Sequence, residues 1–153
     1  MYELGHFING KRVAGTSGRT SNIYNPATGE VQATVALASD AELAAAVESA
    51  KAAQPAWAAT NPQRRGRVFM KFVDLLNQNM DELAVLISRE HGKTVEDSKG
   101  DIIRGLEVCE FVIGIPHLSK GEFTEGAGPG IDMYSFRQPV GIGAGITPFN
   151  FPG

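Results

Sequence analysis

The sequence is poor in the features that mark secreted and membrane proteins. It has one cysteine, Cys109, so an internal disulfide bond is excluded and a reducing compartment is the simplest interpretation. No apolar run approaches the roughly 20 residues that span a bilayer. The first residues lack both the basic and the apolar region of a secretory signal. We therefore expect a cytoplasmic protein without a membrane partner.

Basic residues are not in excess either. The net charge is −3 and the isoelectric point is near 5.6, whereas a nucleic-acid-binding protein usually presents a basic surface. Only Arg64, Arg65 and Arg67 form a dense basic cluster, for which a solvated face is a better interpretation than an anion site. The histidines show no metal-ligand spacing. Nucleic acid and a bound metal are therefore not expected.

The 153 residues suffice for one ordinary domain, and 42% hydrophobic and 20% charged residues are normal for a soluble globular protein. Near the start, Asn9-Gly10 lies inside Phe7–Val13 and predicts a tight β-hairpin. A second extended pair, Ile23-Tyr24 and Val31–Val35, is joined by a turn that has Pro early and Gly late. These segments predict a small β layer.

Four helices are predicted after this layer from their capping residues and apolar periodicity. The predicted helices begin at Ser39, Asn61, Asn79 and Thr94, and they end at Pro55, about Asn79, near Gly92 and about Ile113.

The last of these helices carries two residues of chemical interest. Cys109 shares its apolar stripe and has no neighbouring His or Lys, so a buried structural thiol is favoured over a nucleophile. Arg104 lies between Ile103 and Gly105. From composition alone, a surface or salt-bridging arginine is the favoured interpretation and a ligand role is the alternative.

A glycine-tipped hairpin is predicted next. Glu122–Glu125 and Ile131–Gln138 flank a glycine-rich turn, and an exposed hairpin of this kind can extend a neighbour's sheet.

The final stretch, Val140–Gly153, predicts a buried strand followed by a loop. Its first seven residues are apolar or glycine, which is typical of a central parallel strand. Pro148 and Pro152 end it because they lack the N–H that a sheet needs. Between them, the amide of Asn150 is a candidate oxyanion donor. The glycines at 141, 143 and 145 lack the spacing and the following helix of a dinucleotide fingerprint.

Several of these stretches together resemble the aldehyde dehydrogenase superfamily. They are the Gly-Ile-Thr-Pro-Phe-Asn-Phe-Pro segment at Gly145–Pro152, Phe7–Gly10, Asn25–Glu30 and His91–Thr94. Within that superfamily, Lys99–Val108 and Gly114–Leu118 are most similar to the methylmalonate-semialdehyde dehydrogenase branch.

The resemblance implies an α/β fold that corresponds to the N-terminal part of an aldehyde dehydrogenase: a small β layer, four helices, an oligomerisation hairpin and the first strand of a Rossmann-like sheet. The expected divisions are 1–120 for the N-terminal α+β part of the NAD-binding domain, 121–138 for the hairpin and 139–153 for the truncated first strand and loop.

The resemblance also implies roles for six residues. Asn150 corresponds to the family's oxyanion-stabilising asparagine, and Arg104 to an arginine thought to hold the substrate carboxylate in this branch. The residues that line the nicotinamide-ribose side of NAD correspond to Ile146, Thr147, Pro148 and Phe149.

The implied activity is NAD-dependent oxidation of malonate- or methylmalonate-semialdehyde, with decarboxylation and transfer of the thioester to coenzyme A. The family's nucleophilic cysteine and general-base glutamate are expected beyond these residues, so we interpret the chain as an N-terminal fragment that is inactive alone and belongs to a homo-oligomer. Two alternatives stay open: a non-catalytic module that binds a partner through the 131–138 hairpin edge, and a fragment of another aldehyde dehydrogenase branch.

Overall fold

The computed structural model describes residues 2–152. Within this range the chain forms seven strands and five helices in the order of a mixed α/β fold, which confirms the predicted class. The strands are β1 (Tyr2–Leu4), β2 (His6–Ile8), β3 (Lys11–Val13), β4 (Thr20–Tyr24), β5 (Val31–Ala36), β6 (Phe123–Gly128) and β7 (Ile131–Tyr134); the helices are α1 (Asp40–Ala59), α2 (Pro62–Gln78), α3 (Met80–His91), α4 (Val95–Ile113) and α5 (Ile115–Leu118).

The first strands form the predicted small β layer. β5 is the centre of a three-stranded sheet, parallel to β1 and antiparallel to β4, and its Ala33 and Ala36 are buried. β2 and β3 form the separate predicted hairpin. At its tip Asn9 and Gly10 have φ values of 52° and 71°, as a type I′ turn requires.

The helix starts follow from side-chain caps. Ser39 accepts a hydrogen bond from the N–H of Glu42, and the Glu42 carboxylate accepts one in return from the Ser39 N–H, so the capping box is confirmed. This backbone N–H of Ser39, followed by that of Thr16, lowers the pKa of Glu42 to about 2. Asn61 and Thr94 cap α2 and α4 as predicted.

One predicted helix boundary and one predicted side-chain cap are wrong. Pro55 does not end α1, which continues to Ala59. Since none of the described residues of α1 is buried, the carbonyl that loses its partner to Pro55 can bind water, and the alanine-rich sequence sustains the helix.

Asn79 makes no side-chain cap on α3. Its amide instead donates to the Leu75 carbonyl at 2.7 Å and closes α2. Acidic Asp81 and Glu82 stabilise the start of α3 through the helix dipole.

The core lies where α2, α3 and α4 meet. Ala84 of α3 and Ile102 and Leu106 of α4 are its buried centre. The partly buried side chains around them are Val73, Leu76, Met80, Leu83 and Ile87. These contacts set the position of α4 and therefore of the polar residues on its outer side.

The C-terminal part departs from the sequence-based expectation. β6 and β7 form the predicted hairpin, but residues 140–146 form no strand, and the side chains of Val140 and Ile146 are fully exposed. A strand requires a hydrogen-bonded neighbour, and no described strand lies beside these residues. The buried strand and the Rossmann-like sheet are therefore not formed in this structure. The proposed divisions at 120 and 138 stay predictions.

Candidate functional site

Asn150 lies in a turn after Pro148, with its side chain exposed to solvent. Its backbone carbonyl oxygen is 3.5 Å from the Nζ atom of Lys93. The next side chain, Phe151, presents its ring to the same ammonium group, with the centroid 5.7 Å from Nζ. The carboxamide of Asn150 is therefore free to meet a ligand, while its backbone is tied to the residue that precedes the N-cap of α4.

Lys93 is the centre of a charged cluster that the sequence reasoning missed. Its Nζ lies 2.7 Å from Oδ2 of Asp101 and 3.2 Å from Oδ2 of Asp97. The side chains of Lys93 and Asp101 are only 11% and 4% exposed. The hydrogen bond with Asp101 is the main reason that the pKa of Lys93 is raised above its ordinary value.

A sequence signal for this cluster exists. Lys93, Asp97 and Asp101 follow one another at intervals of four residues, so a helix that begins near Lys93 brings all three charges to one face.

Arg104 lies on the outer side of α4, with 70% of its side chain exposed. Its Nη1 is 2.9 Å from Oε2 of Glu107, one turn along the same helix. No hydrogen bond or ion pair among residues 2–152 joins Arg104 to the segment that carries Asn150. The structure therefore leaves both groups accessible but does not bring them into contact.

The four residues expected beside NAD are all exposed, and Ile146 and Phe149 are nearly fully so. They form an open, largely apolar strip without a charged side chain. Such a strip can contact a flat apolar ring but offers no charge to a phosphate group. The strip consists of Ile146, Thr147, Pro148 and Phe149.

Cys109 lies in an apolar groove of about 370 Å³ between α2, α3 and α4. Pro152 also lines this groove, so the C-terminal segment rests against the helices. The thiol is half-buried, and no charged side chain lines the groove. This environment favours a structural thiol over a nucleophile. Elsewhere in the described range, no cluster of three His, Cys, Asp or Glu side chains is placed to hold a metal ion.

The sequence profile of the aldehyde dehydrogenase family matches residues 13–153. The chain belongs to the aldehyde dehydrogenase family. The match includes the Asn150 segment and all of α4, so the exposed amide and the Lys93 cluster are parts of a family fold.

Relatives in this family match almost the whole chain. A malonate-semialdehyde dehydrogenase from Pseudomonas aeruginosa is 47% identical over 152 residues, which are 99% of this chain and 30% of that protein. The human mitochondrial methylmalonate-semialdehyde/malonate-semialdehyde dehydrogenase, an acylating enzyme, is 44% identical over 95% of this chain and 27% of its own length.

Solved structures agree with these relatives. A Sinorhizobium meliloti protein described as a methylmalonate-semialdehyde dehydrogenase, solved in complex with NAD, is 87% identical and superposes with a TM-score of 0.96 over all of this chain and 31% of that one. The Oceanimonas doudoroffii methylmalonate-semialdehyde dehydrogenase is 46% identical, with a TM-score of 0.94 over 99% of this chain and 31% of its own. The chain thus spans about 30% of the length of the relatives it matches.

Proposed function

We propose that this aldehyde dehydrogenase chain is the N-terminal part of an NAD-dependent enzyme that oxidises malonate- or methylmalonate-semialdehyde. The observation that carries the proposal is the 87% identity to the NAD complex of the Sinorhizobium meliloti relative over the full chain. The named activities of the Pseudomonas and human relatives support the same substrate class. Transfer of the acyl group to coenzyme A and decarboxylation belong to the proposal, and the word "acylating" in the human relative's name supports the former.

Asn150 is the proposed oxyanion donor. Attack of a cysteine thiolate on the aldehyde carbon leaves negative charge on the former carbonyl oxygen, and an amide N–H aimed at that oxygen stabilises it. The exposed Asn150 side chain can serve this purpose because its backbone, rather than its carboxamide, faces Lys93. The proposal assigns the attacking cysteine and the general-base glutamate to sequence outside these 153 residues.

Arg104 is the proposed anchor for the substrate carboxylate, and the strip at 146–149 is the proposed contact for the nicotinamide-ribose part of NAD. When bound, NAD would supply the acceptor for the hydride that leaves the substrate. The guanidinium of Arg104 is exposed and has one weakly held intrahelical partner, Glu107, which a substrate carboxylate can replace.

The decisive experiment uses a chimera in which residues 1–153 replace the matching 31% of the Sinorhizobium meliloti relative. We expect the chimera to reduce NAD with malonate semialdehyde in a coenzyme A-dependent reaction, measured by NADH absorbance and by thioester product. Equal turnover of uncharged aldehydes would instead favour another aldehyde dehydrogenase branch. The 153-residue chain by itself should form no NADH.

The substitution Asn150→Ala tests the catalytic assignment in this chimera. Loss of one oxyanion donor should lower kcat by roughly 10²–10³. Asn77→Ala is the matched control, because the Asn77 amide only caps a carbonyl on the surface of α2. Unchanged turnover of the Asn150 variant would remove the assignment.

A partner-binding role is the second candidate, and the β6–β7 hairpin favours it. Its apolar side chains are exposed, and the rings of Tyr134 and Phe136 stack with centroids 6.2 Å apart. The proposed homo-oligomer would use this edge. Sedimentation of a Met133→Lys chimera should then show smaller species, whereas Met70→Lys on α2 should not. A normal oligomer in the Met133 variant would contradict this use of the hairpin.

A further inference from the structure

Lys93 connects the helix cluster to the segment of the proposed oxyanion donor. On one side, its Nζ binds Asp101 and Asp97 of α4. On the other side, the same atom faces the carbonyl of Asn150 and the ring of Phe151. An ammonium group has three donors, so it can hold a carboxylate and a carbonyl together.

The helix side of this connection is rigid. Asp101 is buried on α4, next to the core residue Ile102. The backbone of Lys93 is fixed too, because its carbonyl accepts a hydrogen bond of 2.7 Å from the Ser88 hydroxyl. Because only 11% of the Lys93 side chain is exposed and both its backbone and its ammonium group have partners, few alternative rotamers are open to it.

On the other side, the segment around Asn150 makes few further contacts with residues 2–152. The residues from 146 to 152 are exposed and belong to no strand or helix, and Pro152 reaches the groove beside Cys109. Between Pro148 and Pro152, Lys93 supplies the polar contact to the backbone and the cation–π contact to a ring. Lys93 therefore contacts the backbone that carries the Asn150 carboxamide.

We propose that Lys93, held by Asp101, is a positioning residue that places the Asn150 amide for oxyanion binding. The effect on catalysis rests on the proposed function, whereas the contact between Lys93 and the Asn150 segment is independent of it. Lys93 acts through the backbone of Asn150 and the ring of Phe151, and it does not touch the reacting atoms.

Lys99 offers a matched control. It also joins two carboxylates, with Nζ 2.9 Å from Asp81 and 3.6 Å from Glu96, but these lie on α3 and α4, away from the Asn150 segment. A Lys99→Met variant thus removes a lysine that also joins two carboxylates, although these are more exposed than Asp101, without the proposed contact.

The first test is nitrogen-15 relaxation of the 153-residue chain. In Lys93→Met, the amide order parameters of Asn150 and Phe151 should fall below about 0.6, the range of flexible backbone. Lys93→Arg should restore them, and Lys99→Met should leave them unchanged. Wild-type values in Lys93→Met would overturn the proposal.

Removing Lys93 leaves Asp101 buried without its partner, so a second variant guards against loss of folding. Phe151→Leu keeps the ion pair and removes only the ring. Phe151→Leu should also lower the amide order parameter of Asn150, as Lys93→Met does. If Lys93→Met does not fold, an unaltered Asn150 in Phe151→Leu refutes the contact.

The second test is kinetic and uses the chimera. Lys93→Met should lower kcat by roughly 10- to 100-fold, as misplacement of a catalytic group does, with KM changed by less than about threefold. In the Asn150→Ala background the same change should cause no further loss, since both act through one amide. Independent, multiplying losses would show that Lys93 acts by another route and would overturn the proposal.

The two tests separate the two possible failures. An unsubstituted chimera that cannot oxidise semialdehydes contradicts the proposed function, while the order parameters still decide whether Lys93 holds the segment. An active chimera with a rigid segment in Lys93→Met contradicts the positioning role alone.

Discussion

The substitution Arg104→Leu separates substrate recognition from stability because of where Arg104 lies. Its side chain is 70% exposed and its partner Glu107 is on the same helix. Exposed pairs of this kind contribute about 0.3–0.5 kcal/mol. The substitution should therefore change the free energy of unfolding by no more than about 0.5 kcal/mol.

Its expected effect on activity is much larger and depends on the substrate. A hydrogen bond to a charged group contributes about 1.5–3 kcal/mol. Loss of the proposed pair with the substrate carboxylate should lower kcat/KM for malonate semialdehyde by roughly 10- to 150-fold, given 1.4 kcal/mol per tenfold. Propanal has no carboxylate, so its kcat/KM should stay within about twofold.

The assay is NADH formation by the chimera with both aldehydes, accompanied by thermal unfolding. Glu107→Gln is the control, since it frees the guanidinium without removing it and should preserve or improve use of the semialdehyde. Equal losses on both aldehydes would refute carboxylate recognition by Arg104. If a lower unfolding temperature of Arg104→Leu accounted for its loss of activity, Arg104 would contribute to stability, and the reasoning from its exposure would be refuted.

Three further predictions concern the fold of the chain, each measured by urea unfolding. Leu106→Ala, at a core residue only 6% exposed, should cost about 2–4 kcal/mol, while Val108→Ala on the outer side of α4 should stay within about 0.5 kcal/mol; similar values would contradict the assigned core. The ionised Glu42 carboxylate stabilises the fold fully above its ordinary pKa of 4.5, and this contribution is lost as the pH falls towards about 2. Glu42→Gln should remove this pH-dependent part of the free energy of unfolding. A pH profile of that free energy unchanged by the substitution would refute the prediction. Gly92→Ala should destabilise the chain by about 1–2 kcal/mol, because Gly92 has φ +86° and a Cβ would lie 3.0 Å from Pro26. The control, Gly100→Ala, meets open space and should be neutral or stabilising. Equal effects of the two substitutions would exclude backbone strain at Gly92.

Local chemistry made much of the fold predictable. Ser39, Asn61 and Thr94 carry hydroxyl or amide oxygens that accept the first free N–H groups of a helix, and each does so in the structure. Gly92 ends α3 in the left-handed conformation that favours glycine. These features depend on residues within four positions of one another, so a sequence displays them directly.

Features that depend on distant residues were predicted less well. The apolar run at 140–146 indicates a buried strand, but pairing needs a neighbouring strand that residues 2–152 do not place there. The continuation of α1 past Pro55 has a related reason, because whether a proline ends a helix depends on what surrounds the carbonyl it frees.

The candidate site shows the same division. The sequence and its family resemblance predict roles for Asn150 and Arg104 from residue type and context, and these roles stay predictions. The link from Lys93 to Asn150 joins residues 57 positions apart and could be found only in three dimensions. The other part of this cluster, Lys93 with Asp97 and Asp101, is recognisable in the sequence because the three charged residues recur every four positions.

The separate packing of the β layer and the helix cluster has a consequence for how the chain opens. The two groups meet through small contacts, such as Pro26 near Gly92 and the Gln32 amide 3.5 Å from the Arg89 carbonyl. Native-state hydrogen exchange should therefore resolve two cooperative units, with the amides of α4 around Leu106 exchanging last. The sheet can then fray while the ammonium–carboxylate pair that faces Asn150 stays intact.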